Sequence, residues 1–453
     1  MKSNIWAKNG GVYLGFACSN TEGPPRDLQP QPLQLISDRH ILAFGPNGSG
    51  KSRRLLLPNL VNLTGWSQVV VDIKGELAFW SAEHRRKAGN EIIFLNPFKV
   101  LGLPSTGFNP VAALDPTSDD FIDNAFGLAE SIVREEGREP HWSASAQDLL
   151  CALIMYSRLC GPNGGSLGHV RELLGQPSVT FVETVKAMMK AGDDLGWEEL
   201  RIKAARFRDL TPDSRELNAI LSTAMTQTRW LDSRPIKADL ARGAFDFSVM
   251  KERPVTVYLN LPGNRLGTYS PWLRLMLTAI VQQLLNDVRA SKVPVLLMLD
   301  EAAQLHDPPI IRNSMAILRG YGVKLLSVYQ DVPQAKLVLG ERFESFAANA
   351  GALQTLQAQD VTTASFFSER SGERNADVLS YASPVDQLTG TPQGGNLSFK
   401  QDKLPGILPQ RIINMDQGYS VLFTHKTKGT VRCYLPDPST MPGFEHIANR
   451  VPA

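Results

Sequence analysis

The sequence predicts an α/β fold in which a parallel, twisted sheet is interrupted by an all-helical insertion. Three observations predict it. An apolar strand, a glycine-rich turn and a helical run follow one another over residues 41–61. Strand and helix patterns alternate over residues 35–98 and again over residues 254–372, as in parallel sheets whose strands are joined by helices. Between these blocks, residues 111–242 carry helical periodicity and almost no strand pattern.

The first α/β block begins after an irregular segment. Residues 1–34 are rich in Pro, Gly and Asn and are expected to form a lead-in with one short strand near Gly11–Ala17. Further along, Gly89 marks the end of a helix. The pattern predicts strands Leu35–Phe44, Ser67–Asp72 and Glu91–Leu95, with helices Arg53–Val61 and Gly75–Lys87.

The helical insertion separates this block from a second one. Its clearest predicted helices are Ala144–Leu159, Val179–Ala191 and Asp213–Thr228. The second block is expected to hold strands Pro254–Asn260, Val293–Glu301 and Val323–Tyr329, helices Ser270–Ala290 and Ile310–Leu318, an α/β unit at Leu353–Gly372, and a closing hairpin of Gly418–Phe423 and Gly429–Tyr434. Residues 373–415, rich in Gly, Pro, Asn and Gln, are expected to form a long surface excursion. The predicted domains are a lead-in (1–34), a sheet domain (35–110 and 243–453) and an inserted all-α domain (111–242).

Composition excludes several classes of protein. The 453 residues are 43% hydrophobic and 20% charged, which is typical of a globular chain with a large core. The net charge is +2, so any surface that binds nucleic acid must be local or be formed by several copies. Four scattered cysteines without a C-x-x-C pair argue against a zinc site or a disulfide framework and favour a reducing compartment. The sequence contains no signal peptide and no apolar run of the roughly 18 residues that would cross a bilayer.

The glycine-rich turn has the spacing G-x-x-x-x-G-K-S between an apolar strand and a helix. This is a P-loop in its expected context, because glycines let backbone N–H groups converge on phosphate oxygens at the positive end of a helix. Lys51 is expected to contact the β- and γ-phosphates of ATP, and the Ser52 hydroxyl to bind Mg²⁺. The predicted nucleotide-binding residues are Gly45, Asn47, Gly48, Ser49, Gly50, Lys51 and Ser52.

Two acidic residues, Asp300 and Glu301, end an apolar strand of the second block. The carboxyl ends of parallel strands line the crevice where ligands bind in open α/β sheets. Adjacent acids at a strand end are also common as solvated turn residues. With a P-loop upstream, we interpret Asp300 as a ligand of Mg²⁺, directly or through water, and Glu301 as the general base that activates water.

For several other polar positions, the sequence leaves two interpretations open. Gln330 is either a sensor of the γ-phosphate or an ordinary strand-terminal residue. Arg319 is either a charge at a helix C-terminus, the default, or an arginine finger that reaches a neighbouring subunit. The segment Asp72–Glu76 is either a substrate or nucleotide contact or a charged helix N-terminus. The basic cluster Arg201–Arg208 either touches phosphates or forms a solvated helix face, and His141–Trp142 is interpreted as a packing anchor.

With these motifs in this order, the chain resembles the type IV coupling proteins, the ATPases of conjugation and type IV secretion. The resemblance extends from about Leu35 to about Tyr434. It rests on several ordered stretches, which are Gly45–Ser52 followed by Leu57–Leu60, Val71–Leu77, Leu95–Phe98, Phe108–Pro110, the Trp142 helix, Pro254–Leu259, Leu299–Glu301, Arg319–Gly322 and Tyr329–Gln330.

The resemblance implies a RecA-like nucleotide-binding domain interrupted by an all-α domain, and assembly into a hexameric ring. It implies ATP hydrolysis between subunits, with Gln330 as the sensor and Arg319 as the finger acting on a neighbour's nucleotide. The implied partners are DNA, expected as a single strand, relaxase or effector proteins, and components of the secretion channel. The subunit is expected to form a homo-hexamer, with a monomer in isolation as the alternative state.

Family members usually begin with transmembrane helices, whereas only about 40 residues precede the P-loop here. Either the anchor has been removed, or the chain is a variant recruited by a separate membrane-anchoring protein, which the start at Met1 slightly favours. The expected location is the cytoplasm, peripheral at the inner face of the membrane. The expected function is ATP-driven coupling of DNA, relaxase–DNA or protein substrates to a type IV secretion channel. The alternatives are a septal-type pump for double-stranded DNA and a substrate-docking adaptor that does not translocate.

Overall fold

The structure is a computed structural model that describes residues 10–134, 140–208, 214–306, 308–382, 396–425, 429–441, 444 and 447. Its internal contacts divide the chain into two compact units. Unit 1 comprises Met1–Ser37, Ile41–Leu55 and Tyr329–Asp437, and unit 2 comprises Asp38–His40, Leu56–Val328 and Pro438–Ala453. The domain limits given above stay a prediction. Parts of the predicted lead-in (1–9), the insertion (135–139 and 209–213) and the surface excursion (383–395) lie outside the described residues.

Strands and helices alternate along both blocks of the sequence. The strands are β1 (Val12–Ala17), β2 (Leu33–Leu35), β3 (Ile41–Phe44), β4 (Ser67–Val71), β5 (Glu91–Leu95), β6 (Val255–Leu259), β7 (Val295–Leu299), β8 (Val323–Tyr329), β9 (Ala352–Thr355), β10 (Glu373–Ala382), β11 (Asn396–Pro405), β12 (Tyr419–Thr424) and β13 (Thr430–Tyr434). The α-helices are α1 (Leu57–Asn62), α2 (Glu76–Lys87), α3 (Phe121–Ile132), α4 (Pro140–Cys160), α5 (Leu167–Leu174), α6 (Ser178–Leu195), α7 (Glu198–Arg208), α8 (Arg215–Thr228), α9 (Arg234–Leu240), α10 (Leu266–Asn286), α11 (Pro309–Leu318), α12 (Val332–Leu339), α13 (Arg342–Asn349), α14 (Val361–Glu369) and α15 (Pro409–Ile413).

The strands of unit 2 form a parallel sheet in the order β8-β7-β4-β6-β5. Strands β4, β6 and β7 are buried along their whole length. Their sequences, SQVVV, VTVYL and VLLML, are nearly continuous apolar runs, as expected for parallel strands covered on both faces. The predicted alternation of parallel strands and helices is confirmed here.

The strands of unit 1 pair in the order β2-β1-β13-β12-β9-β3. Only β3 and β9 run parallel, and the other pairs in this series are antiparallel. The predicted closing hairpin is confirmed as β12 and β13, with Tyr419 opposite Tyr434 and Phe423 opposite Thr430. The predicted short strand of the lead-in is confirmed as β1.

The insertion is helical throughout its described residues between α3 and α9. Helix α4, 21 residues long, is its centre, because α3, α5, α7 and α8 all pack against it. Its buried face includes Leu149, Leu150, Leu153 and Ile154, each with no exposed surface. The helical character predicted for this region is therefore confirmed.

The structure corrects two predicted boundaries for identifiable reasons, one a long-range contact and one local. The strand expected at Leu35–Phe44 is two strands, β2 and β3. The linking residue His40 is buried, and its ring bonds the Met315 carbonyl (2.7 Å) and accepts from the Leu325 N–H (3.1 Å). The helix expected to reach Ala290 ends at Asn286, because the Asp287 carboxylate accepts from the Arg289 N–H (3.1 Å) and so competes with the helical pattern.

The segment expected to form a surface excursion over residues 373–415 contains regular structure. Its described residues form a long antiparallel ribbon of β10 and β11, paired from Glu373 opposite Pro405 to Ala382 opposite Asn396. Helix α15 follows. An ion pair between Lys403 and Glu373 (3.1 Å) joins the two strands near the base of the ribbon. Pairing across the ribbon supplies this order, so local composition could not reveal it.

Candidate nucleotide-binding site

The glycine loop of unit 1 has the backbone geometry of a phosphate cradle. Gly48 and Gly50 have φ of +82° and +89°, in the left-handed region that favours glycine. The loop begins at the end of β3, where the Gly45 N–H donates to the Tyr329 carbonyl (3.1 Å). π-Helical turns over Lys51–Leu56 follow, and π-helical turns often occur at functional sites. The helical run predicted from Arg53 therefore begins two residues earlier, at Lys51.

The space inside the loop fits a phosphate group. A Cβ at Gly45 would lie 2.6 Å from the Ser49 Oγ and 3.1 Å from the Leu356 carbonyl oxygen, so any larger residue would fill the cradle. The Ser49 Oγ is buried and has no hydrogen-bond partner among the described residues. Lys51 is only 6% exposed. A buried hydroxyl and a buried lysine beside an open glycine turn suit an anionic ligand that accepts hydrogen bonds.

The end of unit 1 holds this loop in place. The Gln417 Nε2 donates to the Gly48 carbonyl (2.8 Å), and the Arg54 Nη1 donates to the Leu435 carbonyl (2.8 Å). The Arg53 guanidinium makes a fork with both oxygens of Asp437, the shorter contact being 2.9 Å. The segment around β12 and β13 thus contacts both the glycine turn and the helix that follows it.

Gln330, the predicted sensor, follows β8 and is half-buried in unit 1. Its N–H donates to the Gln334 Oε1 (2.9 Å), while Asp331 caps α12 by accepting from the Gln334 N–H (2.7 Å). These bonds fix the turn that carries Gln330 immediately after the strand. The structure places the residue, and its sensing role stays a prediction.

Three polar residues leave the unit 2 sheet side by side. Val71 is paired with Leu299 on one side and with Leu259 on the other. The next residue along each strand is therefore polar at the same level of the sheet, namely Asp72, Asp300 and Asn260. This is the carboxyl end of the parallel strands, the edge expected for ligands.

Asp72 is buried and bound within this group. Its Oδ2 accepts from the Ala78 N–H at the start of α2 (2.8 Å) and from the Asn260 Nδ2 (3.3 Å). Burial raises the pKa of Asp72 to about 7, and the charge of Asp300 acts in the same direction. The bond to the Ala78 N–H places Asp72 at the N-terminus of α2, whereas nucleotide contact by this segment stays a prediction.

Glu301, the predicted general base, sits on an unusual backbone. Its φ of +55° and ψ of +50° lie in the left-handed region, which is uncommon for a residue other than glycine. Such a conformation costs about 1–2 kcal/mol and recurs at functional sites, although six other described residues besides glycine also have positive φ. The turn directs the chain from β7 into the 3₁₀ turn Ala302–Leu305.

Arg319 lies at the C-terminal end of α11, in the 3₁₀ turn Arg319–Tyr321. Its side chain is exposed and makes no hydrogen bond or ion pair with any described residue. The position fits a charge at a helix C-terminus. It equally leaves the guanidinium available to another molecule.

Basic residues of the cluster Arg201–Arg208 form ion pairs with acidic residues of the insertion. Arg201 contacts Glu198 (3.2 Å), and Arg206 contacts Asp148 (2.7 Å). Lys203 contacts the same Asp148 carboxylate (3.2 Å). These pairs favour the solvated helix face over phosphate contact. His141 is exposed and Trp142 is half-buried, with ring centroids 5.1 Å apart, and the packing-anchor interpretation of this pair stays a prediction.

Asn260, a further residue of this edge, was not among those predicted from the sequence. It is fully buried, and its Oδ1 has no hydrogen-bond partner among the described residues. The available signal was a polar residue directly after the apolar strand VTVYL, the same signal that identified Asp300. The register of β6 against β4 was needed to place it beside Asp72.

The glycine cradle and the parallel sheet with acids at its carboxyl edge define a P-loop α/β protein. The chain belongs to the family described as "Type IV secretory system Conjugative DNA transfer", whose model matches residues 6–433. Among similar proteins is the conjugal transfer protein TraG of Escherichia coli, 26% identical over 342 residues, covering 72% of this chain and 52% of that protein.

Two further relatives extend over more of the chain. TraG of Rhizobium radiobacter is 24% identical, covering 85% of this chain and 60% of that protein. The type IV secretion system-coupling protein VirD4 of Bartonella henselae is 26% identical, covering 83% of this chain and 58% of that protein. The chain thus spans between half and about 60% of the length of these relatives.

Solved structures agree on the fold. The bacterial conjugative coupling protein TrwBdeltaN70 matches with a TM-score of 0.67 at 16% identity, covering 94% of this chain and 93% of that one. The plasmid coupling protein TrwB in complex with ADP and Mg²⁺ matches equally well, with a TM-score of 0.67. This likeness confirms the predicted fold class, a RecA-like P-loop α/β fold with an all-α domain. No helix within the described residues is both long and apolar enough to span a bilayer.

Proposed function

We propose that this chain is an ATP-driven coupling protein that recruits DNA, relaxase–DNA or protein substrates and passes them to a type IV secretion channel. The observation that carries the proposal is the glycine cradle, with its buried Lys51 and its unsatisfied Ser49 hydroxyl. Membership of a conjugative DNA transfer family supplies the substrate class. TrwB structures with ADP and Mg²⁺ or with an ATP analogue support nucleotide as the ligand of the cradle.

In unit 1, the loop backbone and the Lys51 ammonium bind and orient the β- and γ-phosphates. Asn47 lies within the loop, and its backbone N–H binds the phosphates together with the N–H groups of the neighbouring loop residues. Gln330 follows β8 and senses whether the γ-phosphate is present. The contacts of Gln417 and Arg54 keep the cradle formed before nucleotide arrives, which lowers the ordering cost of binding.

In unit 2, Glu301 takes the proton of the attacking water as general base. Ser52 of unit 1 and Asp300 of unit 2 are each proposed as ligands of Mg²⁺, and the ion would supply positive charge to stabilise the phosphates during hydrolysis. Asp72 and Asn260 hold the carboxyl edge of the sheet through their mutual hydrogen bond. The left-handed turn at Glu301 sets its position at that edge.

Arg319 acts on the nucleotide of a neighbouring copy in a homo-hexamer. Its support is an exposed guanidinium without a partner among the described residues of its own chain. An arginine finger is worth about 10³- to 10⁵-fold in turnover. The other proposed partners are single-stranded DNA, secretion-channel components and a separate membrane-anchoring protein, with the chain in the cytoplasm, peripheral at the inner face of the membrane.

A DNA-stimulated ATPase assay tests the proposal. Lys51→Ala should abolish turnover and weaken nucleotide binding. Arg319→Ala should lower turnover by at least about 10³-fold while nucleotide still binds. Arg312→Ala, at an exposed arginine of the same helix α11, is the matched control and should keep turnover.

The outcomes separate the alternatives. Stimulation by single-stranded DNA supports the coupling motor, whereas stimulation only by double-stranded DNA supports a septal-type pump. Nucleotide binding without any DNA stimulation indicates a docking adaptor. Turnover like that of the wild type in Lys51→Ala would remove the cradle from the reaction.

A further inference from the structure

A second polar cavity lies in unit 1, lined by residues other than the glycine loop. Its volume is about 420 Å³, within the usual range for small-ligand sites. The loop after β1, the first residues of β10, the turn before α15, α15 itself and β13 surround it. Among the described residues, its charged lining consists of four arginines and one glutamate, Arg26, Arg374, Arg411, Arg432 and Glu22.

The positive charge of this cavity is poorly neutralised. Arg26 and Arg374 are exposed, and their guanidinium groups make no hydrogen bond or ion pair with any described residue. Arg411 lies 3.7 Å from the Glu22 carboxylate, but both side chains are more than half exposed and such pairs are weak. Arg432 donates to the Ser19 carbonyl (3.1 Å), a neutral group. The chain as a whole carries only +2, so the cavity concentrates charge.

The loop that forms one wall is held in a fixed shape. The Asn20 Nδ2 donates to the carbonyls of Glu22 (2.6 Å) and Pro24 (2.8 Å), and its Oδ1 accepts from the Arg26 N–H (2.8 Å). The Gly23 N–H donates to Asp416 (2.6 Å), which anchors the loop to the turn before β12. A wall ordered without ligand reduces the entropy lost on binding.

We propose that this cavity binds phosphate groups along a single nucleic-acid strand. Guanidinium forks match phosphate oxygens, and four of them converge on one polar space. Since no aromatic side chain is among the described residues that line the cavity, the contact is with the backbone, without base stacking, and is indifferent to sequence. Nucleic acid is favoured over an acidic peptide because the family is one of conjugative DNA transfer. This inference rests on the proposed function.

Binding of a labelled single-stranded oligonucleotide of mixed sequence, measured by anisotropy over a salt series, tests the inference. The variant is Arg26→Ala with Arg374→Ala, which removes two exposed side chains and should leave folding and basal ATP turnover intact. Each lost phosphate contact lowers the slope of log K against log salt by about 0.7 for a single strand. The double variant should therefore lose about 1.4 in slope and, at 0.1 M salt, about 25-fold in affinity.

The charge-matched control is Arg215→Ala with Arg234→Ala, at two exposed arginines of α8 and α9 that do not line the cavity. It should retain the slope of the wild type. Replacing both Arg26 and Arg374 by Lys should restore most of the slope but less of the affinity, because lysine keeps the charge without the fork.

Competition identifies the source of the phosphate. If inorganic phosphate or a mononucleotide displaces the labelled oligonucleotide more weakly than an unlabelled strand does, the ligand is a nucleic-acid backbone. Displacement by a free mononucleotide at equal affinity, or by polyglutamate as readily as by DNA, would overturn it. If the double variant of Arg26 and Arg374 keeps the slope of the wild type, the cavity is not the DNA-binding site, but the proposed function still stands. If the wild type binds no DNA, the proposed function is refuted as well.

Discussion

Arg85 offers a stringent test of what holds the parallel sheet of unit 2 together. The side chain lies on α2, has no exposed surface and forms no ion pair with a described carboxylate. All five of its N–H donors are used, at 2.5–3.1 Å. The acceptors are the carbonyls of Leu60, Leu63 and Trp66, the Thr256 hydroxyl and the Asn90 amide oxygen. One guanidinium thus ties together α2, the loop after α1 and strand β6.

Arg85→Met keeps the apolar stem and removes the donors. Losing five hydrogen bonds at about 1.5 kcal/mol each removes about 7 kcal/mol. Burial lowers the pKa of Arg85 to about 10, and relief of that charge-burial penalty returns about 3 kcal/mol. The net loss is about 4 kcal/mol, which corresponds to a fall of about 8 °C in the Tm of a unit this large.

Thermal unfolding and hydrogen exchange of the α2 amides are the two measurements. Arg86→Met is the control, since Arg86 is the next residue on the same helix, is about half exposed and forms an exposed ion pair with Glu83. Its Tm should move by no more than about 2 °C, because exposed ion pairs contribute at most about 1 kcal/mol. The Tm of Arg85→Lys should lie between those of Arg85→Met and Arg86→Met. If Arg85→Met and Arg86→Met lower the Tm equally, the network around Arg85 does not stabilise the sheet as argued.

Three further predictions concern the two candidate sites. Gly45→Ala places a Cβ 2.6 Å from the Ser49 Oγ and should weaken the binding of an ATP analogue about tenfold or more. Fluorescence titration measures this affinity, and an unchanged value would mean that the cradle does not hold the phosphates. Because the pKa of Asp72 is raised to about 7, the folded chain keeps a proton that the unfolded chain releases, so stability should fall as pH rises from 5 to 7 in metal-free buffer. Asp72→Asn should reduce that fall by up to about 3 kcal/mol, and Tm values that decline equally in both proteins would contradict it. Asp437→Asn weakens a partly exposed fork with Arg53 and should cost no more than about 1 kcal/mol by Tm, so a larger loss would show that the pair carries more of the loop's stability than its exposure suggests.

Local sequence was sufficient for the glycine loop. Its glycines, lysine and serine lie within eight consecutive residues, and the positive φ of Gly48 and Gly50 follows from that spacing. The buried parallel strands were predictable for a similar reason, because a continuous apolar run is a property of the strand itself. The ribbon of β10 and β11 was not predicted because its order comes from hydrogen bonds between two paired strands and not from an apolar pattern within either one.

The candidate site in unit 2 needed register as well as sequence. Asp300 could be recognised as an acid after an apolar strand, but its neighbours could not. Asn260 is 188 residues from Asp72, and their hydrogen bond exists because β4 and β6 pair in one particular register. The helix that Asp72 caps also explains why this carboxyl group is buried rather than exposed to ligand.

The sequence by itself determined the α/β class, the phosphate cradle and the identity of the acids, because each depends on residues that are close together along the chain. Only the tertiary structure decided which distant side chains share a space. The arginine cavity gathers Arg26, Arg374, Arg411 and Arg432 from across about 400 residues of chain. The physical reason is that side-chain contact is set by strand order and packing, which local propensities do not encode.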